Sequence, residues 1–224
     1  MKKLLILSLS LLLVLCSFSA CAEKTPAKQV SEDGNFVFEQ TQETTNFVMI
    51  STKLGNIVVE LYPDIAPITV KNFQGLVKNG FYDGVTFHRI VKGFVIQGGD
   101  PTGTGSGGSG KPIKGEFSYN GVENELSHTR GVISMARKGN DFDSATSQFF
   151  IVLSDRYVSS LDGQYAGFGK VVEGMDVVDA LVEAGVGSVM NKVFFVDKVP
   201  ASETTVSDDA APVSDTAASA DTAS

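Results

Sequence analysis

Between positions 47 and 199 the apolar residues come in eight short runs, at 47–51, 57–61, 86–90, 94–97, 132–136, 148–152, 168–172 and 193–199, punctuated by Gly, Asp and Asn. Runs this short and this rich in Val, Ile and Phe read as β-strands closed off by turns. Two other stretches have helical spacing. In the first, Pro67 suits an opening turn, Ile68, Phe73, Leu76 and Val77 recur at near-helical intervals, and Asn79-Gly80 supplies a left-handed stop, although Gly75 is out of place inside it. In the second, 175–184, Val177, Val178, Leu181 and Val182 gather on one side before Gly185. No internal repeat is present. Eight strands and two helices around an uninterrupted core predict a mainly β fold, a closed eight-stranded antiparallel barrel capped by two helices, because closure is what removes unpaired edges.

The flanks differ in kind. Lys2 and Lys3 precede an apolar run, 4–15, of 12 residues, which is shorter than the roughly 20 that a spanning helix requires. With Ser19 and Ala20 before Cys21, this reads as a secretory signal peptide over 1–20 that ends in a bacterial lipobox. Cys21 would then be lipidated and head the mature chain, although Phe18 departs from the usual Leu and an ordinary cleavage site leaves the same residues. Residues 22–45 hold 5 acids and 2 bases, and 201–224 hold 5 acids, no base and 16 Ala, Ser or Thr. Both are expected to be flexible, as a linker over 21–45 and an acidic tail over 201–224. The domain expected over 46–200 carries 16 acids and 14 bases.

Charge and composition remove several functions. A net charge of −8 argues against a surface that neutralises nucleic-acid phosphates. Both Cys, 16 and 21, precede the domain, so its body has no thiol for a disulfide, a metal or a nucleophile. His88 and His128 have no partner at ligand or triad spacing and read as structural residues. Gly105, Gly110 and Lys111 match most of a phosphate-binding loop, but Pro112 lacks the hydroxyl and the N–H that such a loop needs. The glycine segment 103–110 therefore reads as a flexible surface loop beside a groove. Neither cofactor nor metal is expected.

The informative segment is FHRIVKGFVIQGGD at 87–100. Strict alternation places Phe87, Arg89 and Val91 on one face, so a guanidinium is flanked by apolar side chains and half-buried. Gln97 and Gln148 can orient that guanidinium without neutralising it, while Phe94, Phe150 and Leu161 offer an apolar wall. An apolar pocket with one Arg and two amides suits a peptide better than a phosphate or a sugar.

Five motifs in order, FHRIVKGFVIQGGDPTGTGSGGSG at 87–110, GEFSYN at 115–120, HTRGVISMAR at 128–137, SQFFI at 147–151 and LDGQYAGFGKVVEGMDVVD at 161–179, resemble the cyclophilin family of peptidyl-prolyl cis/trans isomerases. The resemblance spans roughly 47–199. It implies an isomerase acting on X-Pro bonds, with Arg89 at the catalytic position. It also implies that Phe94, Val95, Gln97, Ala136, Arg137, Gln148, Phe150, Leu161 and Tyr165 bind substrate, with Phe94, Phe150 and Leu161 around the proline ring. The departures from the family pattern are Val95 for Met, Arg137 for Asn, Tyr165 for His, Ser160 for Trp and a longer 139–146 segment. Together with the leader, the resemblance implies a monomer that is lipid-anchored outside the cytoplasm and acts on proline-containing segments of secreted or envelope proteins. A non-catalytic proline-peptide binding module or chaperone on the same fold is the alternative. Such a module would keep the groove without needing Arg89.

Overall fold

The computed structural model describes residues 29–30 and 36–200. The expected signal peptide, Cys21 and the expected acidic tail lie outside the described residues. The strands are β1 (Gln29–Val30), β2 (Phe36–Gln40), β3 (Phe47–Thr52), β4 (Gly55–Leu61), β5 (Thr86–Val91), β6 (Val95–Asp100), β7 (Val132–Met135), β8 (Phe149–Val152), β9 (Gly167–Glu173), β10 (Ser188–Val189) and β11 (Lys192–Pro200). The α-helices are α1 (Pro67–Lys78), the single turn α2 (Val158–Leu161) and α3 (Met175–Ala184).

All eight apolar runs form strands. They lie in one antiparallel sheet of order β1-β2-β11-β3-β4-β9-β7-β8-β6-β5-β10. The expectation of a closed eight-stranded barrel with two helices is corrected on both counts. The sheet is curled but its ladder stays open, because the strand that would close it changes partners. The first half of β11 pairs with β3 and its second half with β2, while β10, just before it, pairs with β5. Met190 and Asn191 stitch the seam between the β5 and β3 sides: Met190 N–H donates to Val85 O at 2.9 Å, Gly84 N–H to Met190 O at 2.8 Å and Asn191 N–H to Ser51 O at 2.7 Å. The third helix, α2, is too short to carry an apolar periodicity.

A second correction concerns 21–45. Within that expected linker, β2 pairs along β11 from Phe36↔Pro200 to Gln40↔Val196, and Phe38 is buried. Phe38 closes a cluster with Met49, Val58, Phe194 and Val196 that lies apart from the main core.

The main core is built on Phe73, Tyr82, Phe87, Phe149 and Phe168, with Phe73 within 5.7 Å of Tyr82, Phe149 and Phe168. Helix α1 is fastened from a distance: the Ile68 and Thr69 N–H groups, free by their place in the first turn, donate to the buried Glu116 carboxylate at 3.0 and 2.7 Å. Gly75 costs little space, since nothing lies within 4 Å of where its side chain would be. A third cluster, Val95, Val132, Phe150, Val152 and Leu161, forms on the far side of β6, β7 and β8 from the core. That is why β7 and β8 are buried on both faces, and why β8 reads as an unbroken apolar run.

Candidate active site

That third cluster is the floor of a groove. Along β6, Ile96 points into the core while Val95 and Gln97 point out, and along β8 Phe149 and Ile151 point in while Phe150 and Val152 point out. A cavity of about 240 Å³ is lined by Arg89, Phe94, Val95, Gln97, Ala136, Arg137, Phe150, Leu161 and Tyr165. The structure thus brings together nine of the ten groove residues expected from the sequence. The tenth, Gln148, lines the larger neighbouring cavity of about 830 Å³, which shares Gln97, Ala136 and Arg137 with the first.

Arg89 reaches the groove by a route that alternation does not give. Phe87 pairs with Gly98 and Arg89 with Gln97, so His88 is an extra residue on β5 and the register shifts there. The bulge sends Phe87 into the core and Arg89 outward. The two therefore do not share a face as expected, and Arg89 is exposed rather than half-buried. Its guanidinium is held by one bond, Nη1 donating to Gln97 Oε1 at 3.2 Å. Gln97 Nε2 donates in turn to Gln148 Oε1 at 2.8 Å, and Gln148 Nε2 donates to Gly105 O and Gly107 O at 2.9 and 2.8 Å.

The glycine segment 103–110 is correspondingly not a free loop. The buried Asp100 carboxylate accepts from Thr102 N and Oγ1, each at 2.8 Å, and from Gly105 N and Gly107 N at 2.6 and 3.1 Å. Burial alone would raise its pKa, but these donors outweigh that and draw it down to about 2. A Cβ on Gly107 would collide with that carboxylate, so glycine there is what lets the loop close on it.

Behind Phe150 lies a buried polar relay. His128 Nδ1 is 2.7 Å from Asp162 Oδ1, and His128 Nε2 is 2.9 Å from Ser134 Oγ. A carboxylate only accepts, so Nδ1 carries the proton and Nε2 accepts from the Ser134 hydroxyl. Burial pulls His128 below its ordinary pKa more strongly than Asp162 raises it. For Asp162, burial pushes upward, but donors from His128 and Ser127 more than offset it and hold the carboxyl below the ordinary value. The three residues have the order of a nucleophile, base and acid, yet Ser134 is fully buried and no acyl group can reach it. The imidazole instead stacks on Phe150, centroids 6.3 Å apart and planes 22° from parallel.

Three departures from the family pattern meet in one stack. Tyr165 packs edge-on to Phe150 at 5.6 Å, and the Arg137 guanidinium carbon lies 4.7 Å from the Tyr165 centroid, 4.8 Å from that of Phe142 and 5.3 Å from that of Phe117. Phe142 belongs to the longer 139–146 segment. Sequence reasoning also missed Tyr157, whose ring sits 4.8 Å from Phe94 at 63°, while Ser160 Oγ donates to Tyr157 O at 2.8 Å. Its only sequence signal was an aromatic among polar neighbours. Asp100 had a clearer one, since Asp two residues before a backbone donor is a turn former.

Among the described residues no group of three or more His, Cys, Asp or Glu could hold a metal, and no helix is long and apolar enough to cross a membrane. Residues 47–206 match the family described as cyclophilin type peptidyl-prolyl cis-trans isomerase/CLD. A peptidyl-prolyl cis-trans isomerase of Acinetobacter baylyi is 49% identical over 138 residues, covering 60% of this chain and 70% of that one. Its counterpart in Helicobacter pylori is 42% identical over 159 residues, covering 70% and 91%. The crystal structure of a Cryptosporidium parvum cyclophilin type isomerase, determined in the presence of the dipeptide Ala-Pro, superposes with a TM-score of 0.56 at 34% identity, over 69% of this chain and 98% of that one.

Proposed function

Because the chain belongs to the cyclophilin type peptidyl-prolyl cis-trans isomerase family, we propose that Arg89 is its catalytic residue and that its substrates are X-Pro segments of proteins outside the cytoplasm. The observation that carries this reading is the placement of one cation, fixed by the neutral Gln97, on the rim of the pocket walled by Phe94, Phe150 and Leu161. The enzyme class is that of the family. The residue roles and the location are the proposal.

Rotating X-Pro breaks no bond but must cross a barrier of about 18–20 kcal/mol set by amide resonance. At the twisted transition state the prolyl nitrogen regains a lone pair, so a donor aimed at that nitrogen binds the transition state better than either planar isomer. Arg89 supplies the donor, and its neutral partner Gln97 leaves the charge undiminished. The apolar walls take up the ring and exclude water, which strengthens that one hydrogen bond. Lowering the barrier by about 5 kcal/mol accounts for a rise of three to four powers of ten in rate. A charge-assisted bond in a dry pocket is of that order.

The test is Arg89→Ala. Its kcat/KM on an X-Pro peptide, read by NMR exchange, should fall by about 10²–10³, the cost of losing one transition-state donor. Turnover within a factor of about three of the wild type, with an unchanged circular dichroism spectrum, would overturn the role given to Arg89 and favour the binding-module alternative.

For the location, the support is the Lys2-Lys3 leader and the Ser19-Ala20-Cys21 sequence, and the proposal is that lipid on Cys21 anchors the enzyme to a bacterial membrane. Stable anchoring takes two acyl chains or more, at about 0.8 kcal/mol per buried CH₂. Cys21→Ser should release the protein from the membrane fraction and remove the lipid mass. Unchanged fractionation without a lipid mass in the wild type would dismiss the anchor.

A further inference from the structure

Arg137 stands on the saddle between the two cavities and lines both. Its guanidinium is fixed: Nε donates to Gln164 O at 2.9 Å, Nη1 donates to Lys138 O and Gly139 O at 2.9 and 3.1 Å, and the rings of Tyr165, Phe142 and Phe117 pack against it. Those bonds use three of its five N–H groups. The two on Nη2 have no acceptor among the described residues, and no carboxylate there pairs with Arg137.

The charge around it is unlike that of the chain. The two cavities together present Arg89, Arg137 and Lys138 against Asp141 and Asp143. Asp143 is already occupied, accepting from Gly115 N at 3.0 Å and Asn120 Nδ2 at 2.6 Å, with Lys114 at 3.7 Å. A chain of net charge −8 thus carries a local excess of positive charge where its groove widens. A cation already immobilised by packing loses little freedom on binding and has donors to spare for an anion.

We infer that Arg137 is a specificity-determining residue that favours substrates with a Glu or Asp side chain within two residues of the isomerised proline. The inference rests on the isomerase reading of the groove and adds the substrate class. With proline in the smaller pocket, two further residues carry the peptide about 7 Å along its length, at about 3.3–3.6 Å per extended residue. That takes it across the shared wall of Gln97, Ala136 and Arg137. The fixed guanidinium then meets the peptide carboxylate from the saddle, with Lys138 adding to the field.

The experiment observes peptides in the presence of catalytic amounts of the full chain kept in detergent. Two series are used, Ac-Xaa-Ala-Pro-Ala-Ala-NH₂ and Ac-Ala-Ala-Pro-Ala-Xaa-NH₂, each with Xaa as Glu, Gln or Lys. Affinity comes from titration and kcat/KM from NMR exchange. In at least one series at low salt, Glu should exceed Gln by about fivefold and Lys by about tenfold in both readouts. Arg137→Lys should keep the order, and Arg137→Glu should invert it so that the Lys peptide becomes the best, a change that a damaged fold does not produce. Equal treatment of the three peptides in both series by the wild type, or an order retained in Arg137→Glu, overturns the inference. If no peptide is isomerised, the isomerase reading fails, and the affinity order alone decides the role of Arg137.

Discussion

Gln97 donates to Gln148 at 2.8 Å, and through that bond the side chain that holds Arg89 is itself held by the glycine loop. The cation is therefore aimed by a chain of neutral amides that ends at the Asp100 carboxylate, and none of its members needs to touch the reacting bond.

Gln97→Leu should lower kcat/KM about tenfold, the value of roughly 1.4 kcal/mol of lost orientation. In an Arg89→Ala background the same change should cost almost nothing, because there is no guanidinium left to aim. Equal losses in both backgrounds, measured by the NMR exchange assay, would mean that Gln97 acts on the peptide and not through Arg89.

The relay behind Phe150 predicts a pH dependence of stability. His128 has a folded pKa below its ordinary 6.5, drawn down mainly by burial, so the unfolded chain binds protons more readily than the folded one. Its contribution is fully present above pH 6.5 and is lost as pH falls below that value. His88 is shifted in the same direction, again mainly by burial. Asp162 and Asp100, both held below their ordinary 3.8, add a second loss under stronger acid. The melting temperature should be flat from about pH 8 to 7 and then decline. His128→Gln should make the decline between about pH 6.5 and 5 shallower, and an unchanged slope in calorimetry would remove His128 from this account.

How much of this was legible in the sequence depended on how local its cause was. The eight strands were found because each is a short apolar run whose partners only confirm it. The groove residues were found because the motifs carrying them are contiguous. Strand β2 was read as linker because its justification lies in β11, about 160 residues away, and in the Phe38 cluster that no local pattern announces. The bulge at His88 was invisible for a similar reason: an inserted residue changes which face Arg89 occupies without changing the composition. The loop 103–110 looked free because its glycines were visible and the Asp100 bonds were not.

Ser160 stands where many cyclophilins carry Trp, and it offers no flat apolar wall. Tyr157 places an aromatic ring beside Phe94, and Ser160 immediately precedes the pocket residue Leu161. Ser160→Trp should tighten a large cyclic ligand such as cyclosporin A by about 5- to 150-fold, corresponding to about 1–3 kcal/mol. It should change the turnover of a short proline peptide little by comparison. Titration of both proteins settles it: no gain on adding the indole would show that position 160 does not control this edge.

Phe38→Ala should destabilise the protein by about 3 kcal/mol, the low end for a buried Phe, because β2 can undock without opening the main core. Peptide turnover should be unchanged at low temperature. A matching fall in turnover and in melting temperature would tie the outer cluster to the groove.

Strand β2 also sets how the molecule bears force. Phe36 lies opposite Pro200, so the start of β2 and the end of β11 meet at one corner of the sheet, several strands away from β6 and β8, with only the two residues of β1 paired outside β2. Tension between an N-terminal tether and anything gripping the C-terminal chain would peel the two residues of β1 from β2 and then open the β2–β11 ladder one pair at a time, starting at that corner. Such unzipping yields before the central strands are loaded, so single-molecule stretching should record a small first step with the groove intact. The corner then behaves as a mechanical fuse, giving slack to a pulled chain while the working face keeps its shape.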